Sequence, residues 1–378
     1  MTKVTFVIQD LFSLGAQYVT ALIIRGFIAK GYDVDLIVSQ IHNDKREEGL
    51  EPFYVPPSVK WKFLPYRRAR NNIFALAKYL RNTSTSAVVS MSSNYAVALS
   101  IAKRLSFSNV KIYNVEHNGG IGYSVDGKKI LAAPIVFSVD WWINQFVYRP
   151  FERILTVSEG NANAIARMLG YPKNKIDVVY NPVVDNLFYE KLAKRNDVHT
   201  WLKEKNVPVF VSAGAHVTIK NHMLLLKAFK KVNEVTKVKL VLFGRGELTE
   251  KYKEYIYENN LGDVICVAGY TNNLPVNLAH SDGLIVSSNL ESFSVVMVEA
   301  LACGVTVIST DCPYGPREIL KNGKYGTLVP LDDVDAMADA ILDRIRNGAS
   351  MVFSGSWSDY ELDKIVMLYE ESLGLTNR

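Results

Sequence analysis

The stretch SNLESFSVVMVEALACGVTVISTD, residues 288–311, carries the most informative pattern in this sequence. It follows a short apolar run at 283–286 and contains a β-branched run at 305–309, and each run predicts a strand. Between them, the unbroken apolar residues 295–302 predict a helix that begins near Ser294. A strand, a helix and a second strand in this order indicate a right-handed βαβ unit of a parallel sheet.

Two glutamates bracket the predicted start of that helix. Glu291 lies in the loop before it, and Glu299 lies in its second turn. The backbone N–H groups of residues 293–295 would then stand at a helix N-terminus, which favours an anion such as a diphosphate. The two carboxylates would accept hydrogen bonds from sugar hydroxyls on either side of it. The alternative is a helix-dipole contact for Glu291 and a solvated Glu299, although the apolar neighbours of Glu299 argue against its solvation.

The same alternation of strands and helices runs through most of the 378 residues. Strands are predicted at 3–8, 33–38, 87–91, 111–115, 153–157, 176–180, 208–213, 238–243, 263–267, 283–286 and 305–309. Helices are predicted at about 16–30, 94–105, 159–169, 221–234, 247–259, 294–302 and 333–346. The polar stretch 181–207 interrupts the alternation and indicates a linker or a surface helix.

An α/β fold of two doubly wound, Rossmann-like domains is therefore predicted, with residues 1–185 in the first domain and 186–355 in the second. Such sheets bind ligands outside the carboxyl ends of their strands, so we expect a ligand in a cleft where the two sheets face each other. Residues 356–378 hold a last amphipathic helix with no strand after it. That helix either caps the second domain or crosses back to the first.

Composition and charge exclude several protein classes. An apolar content of 48% excludes a disordered chain and collagen-like repeats. The three cysteines do not have the spacing of metal ligands, so they exclude a disulfide scaffold and a metal cluster of cysteines. Their small number suits a reducing cytosol. Neither a signal peptide nor a membrane-spanning segment is expected. The net charge of +5 is uneven, because residues 1–190 carry 22 basic and 15 acidic side chains while the remainder carries 21 and 23.

Three further turns carry residues suited to a phosphate ligand. Gly15 and Ala16 open the first predicted helix, where small residues let the backbone approach a ligand. Lys220 ends the loop after strand 208–213 and can direct an ammonium group at a phosphate. Arg245 lies between two glycines after strand 238–243, where the same sequence of strand, turn and helix is repeated. Taken separately, these residues are equally compatible with an ordinary turn and solvated cations.

Together these residues resemble one family, the retaining glycosyltransferases of family 4 with the two-domain fold called GT-B. The resemblance is carried by Glu291 and Glu299 in ESFSVVMVEALACG and by Lys220-Asn221. It extends to GRGE at 244–247, to GPREIL at 315–320, to YGTLVP at 325–330 and to YRPFERILTVS at 148–158. It covers nearly the whole chain and is specific for fold and reaction class, not for the sugar.

The resemblance implies a role for each matching residue. Glu291 would bind the donor sugar, Glu299 the ribose, and Lys220 the diphosphate. The diphosphate would also meet the backbone of Ser292, Phe293, Ser294 and Val295, while Tyr270 to Leu274 would flank the base and Gly15-Ala16 would approach the phosphates. His117 matches an acceptor-side histidine that touches the transferred hexose, although a structural loop histidine is the alternative.

One departure from the family pattern concerns the diphosphate. Members usually have an arginine five residues before the lysine, and Ala215 stands there in this chain. We expect His216 or Arg245 to supply the missing cation, because such a contact contributes on the order of 3 kcal/mol to transition-state stabilisation. Leu14 also replaces the first of two usual glycines.

The implied reaction is transfer of a hexose or N-acetylhexosamine, with retention, from a nucleotide diphosphate sugar to an acceptor hydroxyl. A UDP-sugar is the first candidate donor, and a glycan or lipid-linked acceptor in surface polysaccharide synthesis is implied. No metal cofactor is expected, because the Asp-x-Asp pairs at 33–35 and 333–335 enter a strand and a helix. Two alternatives stay open: a nucleotide-sugar hydrolase or epimerase of the same fold, and a non-catalytic nucleotide-sugar-binding subunit.

A basic and aromatic region lies in the first half of the chain. It comprises Lys60, Lys62, Arg67, Arg68, Arg70, Lys78, Arg81, Lys103 and Arg104, interleaved with Trp61, Phe63, Tyr66 and Phe74. We expect it to face an anionic membrane surface rather than nucleic acid, which fits a cytoplasmic protein held peripherally on the inner face of the cell membrane. The apolar stretch 135–146, with Trp141 and Trp142, would add an interfacial surface. A solvated basic face is the alternative, and the oligomeric state is not specified.

Overall fold

The computed structural model describes residues 1–12, 15–48, 52–117, 146–194, 197–348 and 354–376. These residues form two compact units. Unit 1 comprises the described residues up to His117, from 146 to Pro182 and from Tyr360 onward. Unit 2 comprises the described residues from Val183 to Asp359.

Unit 1 is built on a seven-stranded parallel sheet in the order β3-β2-β1-β4-β5-β6-β7. The strands are β1 (Lys3–Val7), β2 (Asp33–Val38), β3 (Lys60–Phe63), β4 (Ala87–Ser90), β5 (Lys111–Glu116), β6 (Arg153–Thr156) and β7 (Ile176–Val178). The helices before unit 2 are α1 (Gly15–Ala29), α2 (Gln40–Glu47), α3 (Ile73–Asn82), α4 (Ser93–Ser106) and α5 (Glu159–Leu169). Helices cover the sheet, so central strands such as β4 are buried at every residue. One core lies under α3, α4 and α5, where Val88, Ile112 and Ile154 pack against Leu99 and Ile165.

Unit 2 is built on a six-stranded parallel sheet in the order β10-β9-β8-β11-β12-β13. The strands are β8 (Val209–Ala213), β9 (Lys239–Phe243), β10 (Ile265–Gly269), β11 (Gly283–Val286), β12 (Val307–Thr310) and β13 (Gly326–Val329). The helices are α6 (Asn186–Ala193), α7 (Thr200–Lys203), α8 (His222–Val235), α9 (Thr249–Glu258), α10 (Leu274–Ala279), α11 (Val295–Ala302), α12 (Gly315–Ile319) and α13 (Val334–Asn347). Its core packs Phe210, Leu240 and Leu242 against Phe229 of α8 and Ile341 of α13.

The last helix, α14 (Leu362–Ser372), belongs to unit 1 and packs against α1. Gly26 of α1 makes room for it, since a Cβ there would lie 2.4 Å from Val366 Cγ2. The Tyr32 hydroxyl donates a hydrogen bond to Glu370 Oε1 at 2.7 Å, and the Tyr113 hydroxyl donates one to the carbonyl of Leu373 at 3.0 Å. The last helix therefore crosses back to the first unit and does not cap the second.

The prediction of two parallel α/β sheets is confirmed. Two strands were not predicted: β3, with the sequence KWKF, and β13, with the sequence GTLV. Both are edge strands, and one side of an edge strand meets solvent, which weakens the apolar signal. The stretch 181–207, predicted as a linker or a surface helix, contains the short helices α6 and α7.

Candidate active site

The strand order of unit 2 reverses between β8 and β11, its two central strands. Ligands of open α/β sheets bind at such a switch point, outside the carboxyl ends of the strands. The loop after β8 carries Lys220, and the loop after β11 carries Glu291. The two loops are joined directly, because the backbone N–H of Asn289 donates to the carbonyl of Ile219 at 2.8 Å. The fold thus brings together two residues that are 71 positions apart in the sequence.

Lys220 and Glu291 form an ion pair at this switch point. The Lys220 ammonium nitrogen lies 2.6 Å from Glu291 Oε1, and the Ser288 hydroxyl donates to the same oxygen at 2.8 Å. The Glu291 side chain is 7% exposed, whereas that of Lys220 is 28% exposed. The carboxylate is therefore fixed and mostly buried, and the ammonium group remains within reach of a ligand.

The backbone around Glu291 is held by the loop after β12. The N–H of Glu291 donates to the carbonyl of Pro313 at 2.7 Å, and the N–H groups of Tyr314 and Gly315 donate to the carbonyl of Glu291 at 2.7 and 2.8 Å. Gly315 is needed for this approach, because a Cβ there would lie 2.9 Å from the Cα of Phe293. The position of the residues just before α11 thus depends on a close backbone contact.

Helix α11 begins at Val295, as the sequence predicts, with Ser294 as its N-cap. The Ser294 side chain makes no capping hydrogen bond, although it is only 3% exposed and its hydroxyl has no hydrogen-bond partner. The first N–H groups of a helix have no partner within the helix. Ser292 and Val295 are partly buried, and Phe293 is buried beside them. Uncapped N–H groups and an unpartnered hydroxyl therefore stand together at this end, which is an arrangement suited to an anion.

Glu299 lies in the second turn of α11, as predicted. It is partly buried, and burial raises the pKa of its carboxyl from about 4.5 to about 7, an effect that the positive charge of Lys191 opposes. Glu299 is therefore not an ordinary solvated glutamate. Its two oxygens can accept hydrogen bonds from a pair of vicinal ribose hydroxyls, and the protonated form can also donate one.

The loops after β8 and β9 lie against each other through two glycines. A Cβ on Gly244 would lie 1.9 Å from the carbonyl oxygen of Gly214, and a Cβ on Gly246 would lie 2.5 Å from that of His216. The His216 N–H donates to the carbonyl of Arg245 at 3.1 Å. Residues 215 and 245 therefore lie on neighbouring loops, and both are exposed.

The expectation that His216 supplies a cation is wrong. Its side chain is 0% exposed, and Nδ1 lies 2.8 Å from the Thr249 hydroxyl. Burial lowers the pKa of His216, which keeps the ring neutral at physiological pH. The ring packs against His222 and Tyr252 inside unit 2 instead of facing a ligand.

Arg245 has the exposure that His216 lacks. Its guanidinium carbon lies 5.8 Å from the centre of the Tyr270 ring, within the range of a cation–π contact. The Tyr270 side chain is 61% exposed and directly follows β10, and Leu274 opens α10 a few residues later. The exposed Tyr270 ring and the exposed Arg245 guanidinium therefore lie side by side, on the loops after β10 and β9. The loop after β9 is the neighbour of the loop after β8, which carries Lys220.

His117 is the predicted site residue of unit 1 that follows β5. Burial lowers the pKa of His117 to about 4, and the nearby Asn181 side chain offsets this only in part. Within the part of the chain that the structure describes, neither ring nitrogen has a partner with hydrogen-bond geometry. His117 is therefore a neutral ring with unused hydrogen-bonding capacity at the carboxyl edge of the unit 1 sheet.

Gly15 and Ala16 form the first turn of α1. Gly15 is exposed and a Cβ there would meet nothing within 4 Å, so the backbone is open to a ligand on that side. Leu14 lies outside the described residues, as do Trp141 and Trp142 and all but the last residue of the predicted interfacial stretch.

The structure gathers Lys220, Glu291 and residues 292–295 at one switch point, as the sequence predicts, and places Arg245 and Tyr270 on adjoining loops. Sequence reasoning missed Ser288. A serine three residues before the glutamate in the same loop gave only a weak signal, because its role depends on the direction of its hydroxyl.

Two family models match this chain and together span most of it. The model described as Glycosyltransferase Family 4 matches residues 14–187, and the one described as Glycosyl transferases group 1 matches residues 194–352. The chain belongs to the family 4, group 1 glycosyltransferases. The resemblance seen in the sequence is thereby confirmed, and the motif residues at the unit 2 switch point lie within the second match.

Two relatives of this glycosyltransferase chain are named for acceptors on diphosphoundecaprenol. It is 30% identical over 200 residues to the N-acetylgalactosamine-N,N'-diacetylbacillosaminyl-diphospho-undecaprenol 4-alpha-N-acetylgalactosaminyltransferase of Campylobacter jejuni, covering 53% of this chain and 52% of that protein. It is 23% identical to the UDP-Gal:alpha-D-GlcNAc-diphosphoundecaprenol alpha-1,3-galactosyltransferase of Escherichia coli, covering 89% of each. The chain thus spans about half the length of the first of these relatives.

Solved structures show that the fold is GT-B. Anabaena HepE in complex with UDP and glucose superposes with a TM-score of 0.76 at 16% identity, covering 99% of this chain and 100% of that one. The apo form of the lipopolysaccharide outer core galactosyltransferase WaaB gives a TM-score of 0.71 at 17% identity, covering 99% of each chain. At these identities the likeness concerns the fold alone.

Over the described ranges, no three His, Cys, Asp or Glu side chains come close enough together to hold a metal ion. None of the helices in those ranges has the length and apolar character needed to cross a bilayer.

Proposed function

We propose that this chain is a retaining hexosyltransferase that moves a hexose or N-acetylhexosamine from a nucleotide diphosphate sugar to an acceptor hydroxyl. The observation that carries the proposal is the unit 2 switch point, where Lys220, Glu291 and the uncapped start of α11 lie together. A diphosphate needs cationic and N–H contacts, and the attached sugar needs hydrogen-bond acceptors. This site offers both.

Each donor group has a proposed partner. The diphosphate lies against the start of α11 and the Lys220 ammonium group, with Arg245 as the second cation. Glu291 accepts hydrogen bonds from the sugar hydroxyls, and Glu299 binds the ribose. Tyr270 and Leu274 flank the base, and Gly15 and Ala16 approach the phosphates. His117 is the acceptor-side residue.

The reaction breaks the bond between the anomeric carbon and the β-phosphate oxygen. The acceptor oxygen attacks from the same face, and the departing phosphate takes the acceptor proton, so the configuration is retained. Negative charge that develops on the phosphate is stabilised by Lys220 and the α11 N-terminus, which can provide this stabilisation without a metal ion. We therefore propose a metal-independent reaction.

A UDP-sugar and a lipid-linked acceptor are the substrates that the relatives favour. HepE binds UDP and glucose, and the two bacterial relatives are named for acceptors on diphosphoundecaprenol. We extend both features to this chain and propose a role in surface polysaccharide synthesis.

A membrane-facing surface supports a lipid-linked acceptor. On β3, on α3 and in the segment between them, three aromatic side chains are exposed, Phe63 by 45%, Tyr66 by 53% and Phe74 by 80%. Arg68, Arg70 and Lys78 are exposed among them, whereas Lys60, Lys62 and Arg67 pair with aspartates, and Lys103 and Arg104 bind carbonyl oxygens. Basic groups near an anionic bilayer contribute about 1 kcal/mol each. We propose a peripheral cytoplasmic location on the inner membrane face.

Donor binding is tested first by thermal shift with UDP, GDP and ADP and their sugars, because a ligand of the folded state raises the melting temperature. Transfer is then assayed with the stabilising donor and a diphosphoundecaprenol-linked sugar, and the product anomer is identified by NMR. Free sugar or an isomer formed without acceptor would show a hydrolase or epimerase. Donor binding without turnover on any acceptor would show a non-catalytic subunit.

A further inference from the structure

A second pocket lies in unit 1, at the opposite edge of its sheet from His117. It is a cavity of about 440 Å³ between β2, β3 and α3. Lys3, the first residue of β1, and Ser84, which precedes β4, line one end of it. Phe63, the last residue of β3, and Leu64 line the other end, so the pocket extends along the strands. None of its lining residues has a part in the proposed donor site.

Three lysines surround this pocket. Lys3 and Lys62 are partly exposed, by 24% and 45% of their side chains, and Lys78 is exposed on α3. Asp35 is the one acid among the described lining residues. The lining side chains therefore sum to a charge of about +2, which favours an anion, although Lys3 also pairs with Asp33 Oδ2 at 3.4 Å outside the lining.

Asp35 is buried at the base of the pocket with hydrogen-bonding capacity left over. Its side chain is 2% exposed, and its Oδ2 accepts a hydrogen bond from the Tyr79 hydroxyl at 2.9 Å. Among the described residues, its Oδ1 has no hydrogen-bond partner. The nitrogens of Lys3 and Lys62 lie 3.6 and 3.7 Å from the carboxylate oxygens, which is beyond ordinary N–H···O distance. The lysines balance the carboxylate charge without satisfying its second oxygen.

A free carboxylate oxygen beside three ammonium groups selects for two features in one ligand. The ammonium groups attract an anion, whereas the carboxylate repels a bare anion and accepts a hydrogen bond from a hydroxyl group. Lysine acts as a point charge toward phosphate. Apolar lining by Ile37, Pro65 and the 45%-exposed Phe63 suits the carbon face of a ring or a polyol. The volume is in the range of small-molecule sites.

We propose that this pocket binds a phosphate ester that also carries free hydroxyl groups, with the phosphate between Lys3, Lys62 and Lys78 and a hydroxyl donating to Asp35. A soluble sugar phosphate and a phospholipid headgroup share this chemistry. The exposed aromatic side chains of α3 and β3 adjoin the pocket, so a headgroup can reach it from a bilayer. The site is independent of the donor site, and failure of either proposal leaves the other standing.

The test uses the full chain with saturating UDP, so that the donor site is occupied. Isothermal titration compares glucose 6-phosphate with inorganic phosphate and with glucose. We expect saturable binding of glucose 6-phosphate that is tighter than that of either simpler probe. Lys78→Ala should weaken it about fivefold, the loss of one partly solvated charge contact. Lys227→Ala, an exposed lysine change in unit 2, is the matched control and should leave binding unchanged.

Asp35→Asn tests the hydroxyl contact. It keeps the shape of the side chain and removes the charge that repels a bare anion, so the preference for glucose 6-phosphate over inorganic phosphate should disappear. If Asp35→Asn fails to fold, Lys78→Ala still tests whether the pocket binds the phosphate ester, because Lys78 is exposed and its loss should not affect folding.

Vesicles of phosphatidylcholine, with and without phosphatidylglycerol, identify the source of the ligand. The pocket is assigned to a headgroup if two results are obtained. The chain must sediment, in a Lys78-dependent way, only with vesicles that contain phosphatidylglycerol, and these vesicles must abolish the binding of glucose 6-phosphate. Binding of glucose 6-phosphate that the vesicles do not displace assigns it to a soluble ester. The proposal is overturned if no phosphate probe or vesicle binds saturably, or if binding is the same in Lys78→Ala and in the wild type.

Discussion

Lys220 Nζ and Glu291 Oε1 are 2.6 Å apart, so the principal cation and the principal acceptor of the candidate active site are bonded to each other. A diphosphate that binds at the start of α11 competes with Glu291 for the ammonium group. The two residues therefore affect the binding of UDP, which carries no sugar for Glu291 to hold, in opposite directions, although both are proposed to act in transfer.

The first prediction separates the roles of these two residues. Lys220→Ala should weaken UDP binding and lower kcat/KM for transfer by about 100-fold, the usual effect of losing one charge-stabilising donor at a reacting centre. Glu291→Gln should leave UDP binding equal or tighter, because the lysine is released, while transfer falls to a similar extent. Calorimetry with UDP and initial-rate assays measure the two effects, with Lys227→Ala as the control. Rates within about twofold of wild type in both variants would refute the site assignment.

A second prediction concerns Arg245 as the replacement for the arginine that family members carry where this chain has Ala215. Arg245→Ala should raise the donor KM and lower kcat by at least about tenfold, through loss of a charge-assisted contact with the diphosphate. In the double variant Ala215→Arg with Arg245→Ala, a cation returns on the neighbouring loop, and activity should recover in part. His216→Gln should not reproduce the Arg245→Ala kinetics. An active Arg245→Ala enzyme would show that Lys220 suffices.

The third prediction follows from the raised pKa of Glu299, about 7 instead of 4.5. Between these two values the folded chain keeps a proton that the unfolded chain has lost, so the free energy of unfolding falls as pH rises through this window and levels off above it. Glu299→Gln cannot lose this proton. The wild type loses stability over this window and the variant does not. The difference in urea midpoint, variant minus wild type, should therefore rise from pH 5 to pH 7 and then stay constant. Glu258→Gln, on the exposed face of α9, should show a flat difference.

The fourth prediction concerns the backbone contact under the anion site. Gly315→Ala places a methyl group 2.9 Å from the Cα of Phe293, so the loop before α11 must move. UDP binding should weaken by about tenfold, as expected when preorganised N–H groups are displaced. Gly262→Ala is the control, because a Cβ there meets nothing within 4 Å. Equal UDP affinity in the two variants would show that the loop tolerates the shift.

The sequence predicts most of this site because the determinants are local. A helix start after a buried strand follows from the apolar run 295–302, and Glu291 and Glu299 are then placed by counting residues. The Lys220–Glu291 bond joins two separate turns, and only the pairing of β8 with β11 brings them within reach. Periodicity identifies β8 and β11 as strands but does not show that they are neighbours in the sheet.

The burial of His216 could not be predicted from the sequence. Polar residues in glycine-rich loops are usually exposed, so a histidine beside Ala215 was a reasonable candidate for a cation. Its burial depends on Gly244 and Gly246, which let the next loop pack over it. β3 was missed for a similar reason, because the alternating lysines of KWKF read as a charged surface, although backbone pairing with β2 makes the segment a strand.

The docking of α14 on α1 also sets an order of events during synthesis. A ribosome completes all of unit 2 before it makes residues 360–376, which unit 1 needs to cover the face of α1 that includes Phe27. The unit encoded first is thus finished last, and until then its sheet carries an uncovered apolar helix. A nascent chain stalled after unit 2 would therefore be a substrate for chaperones through α1, whereas the donor-binding half would already be folded.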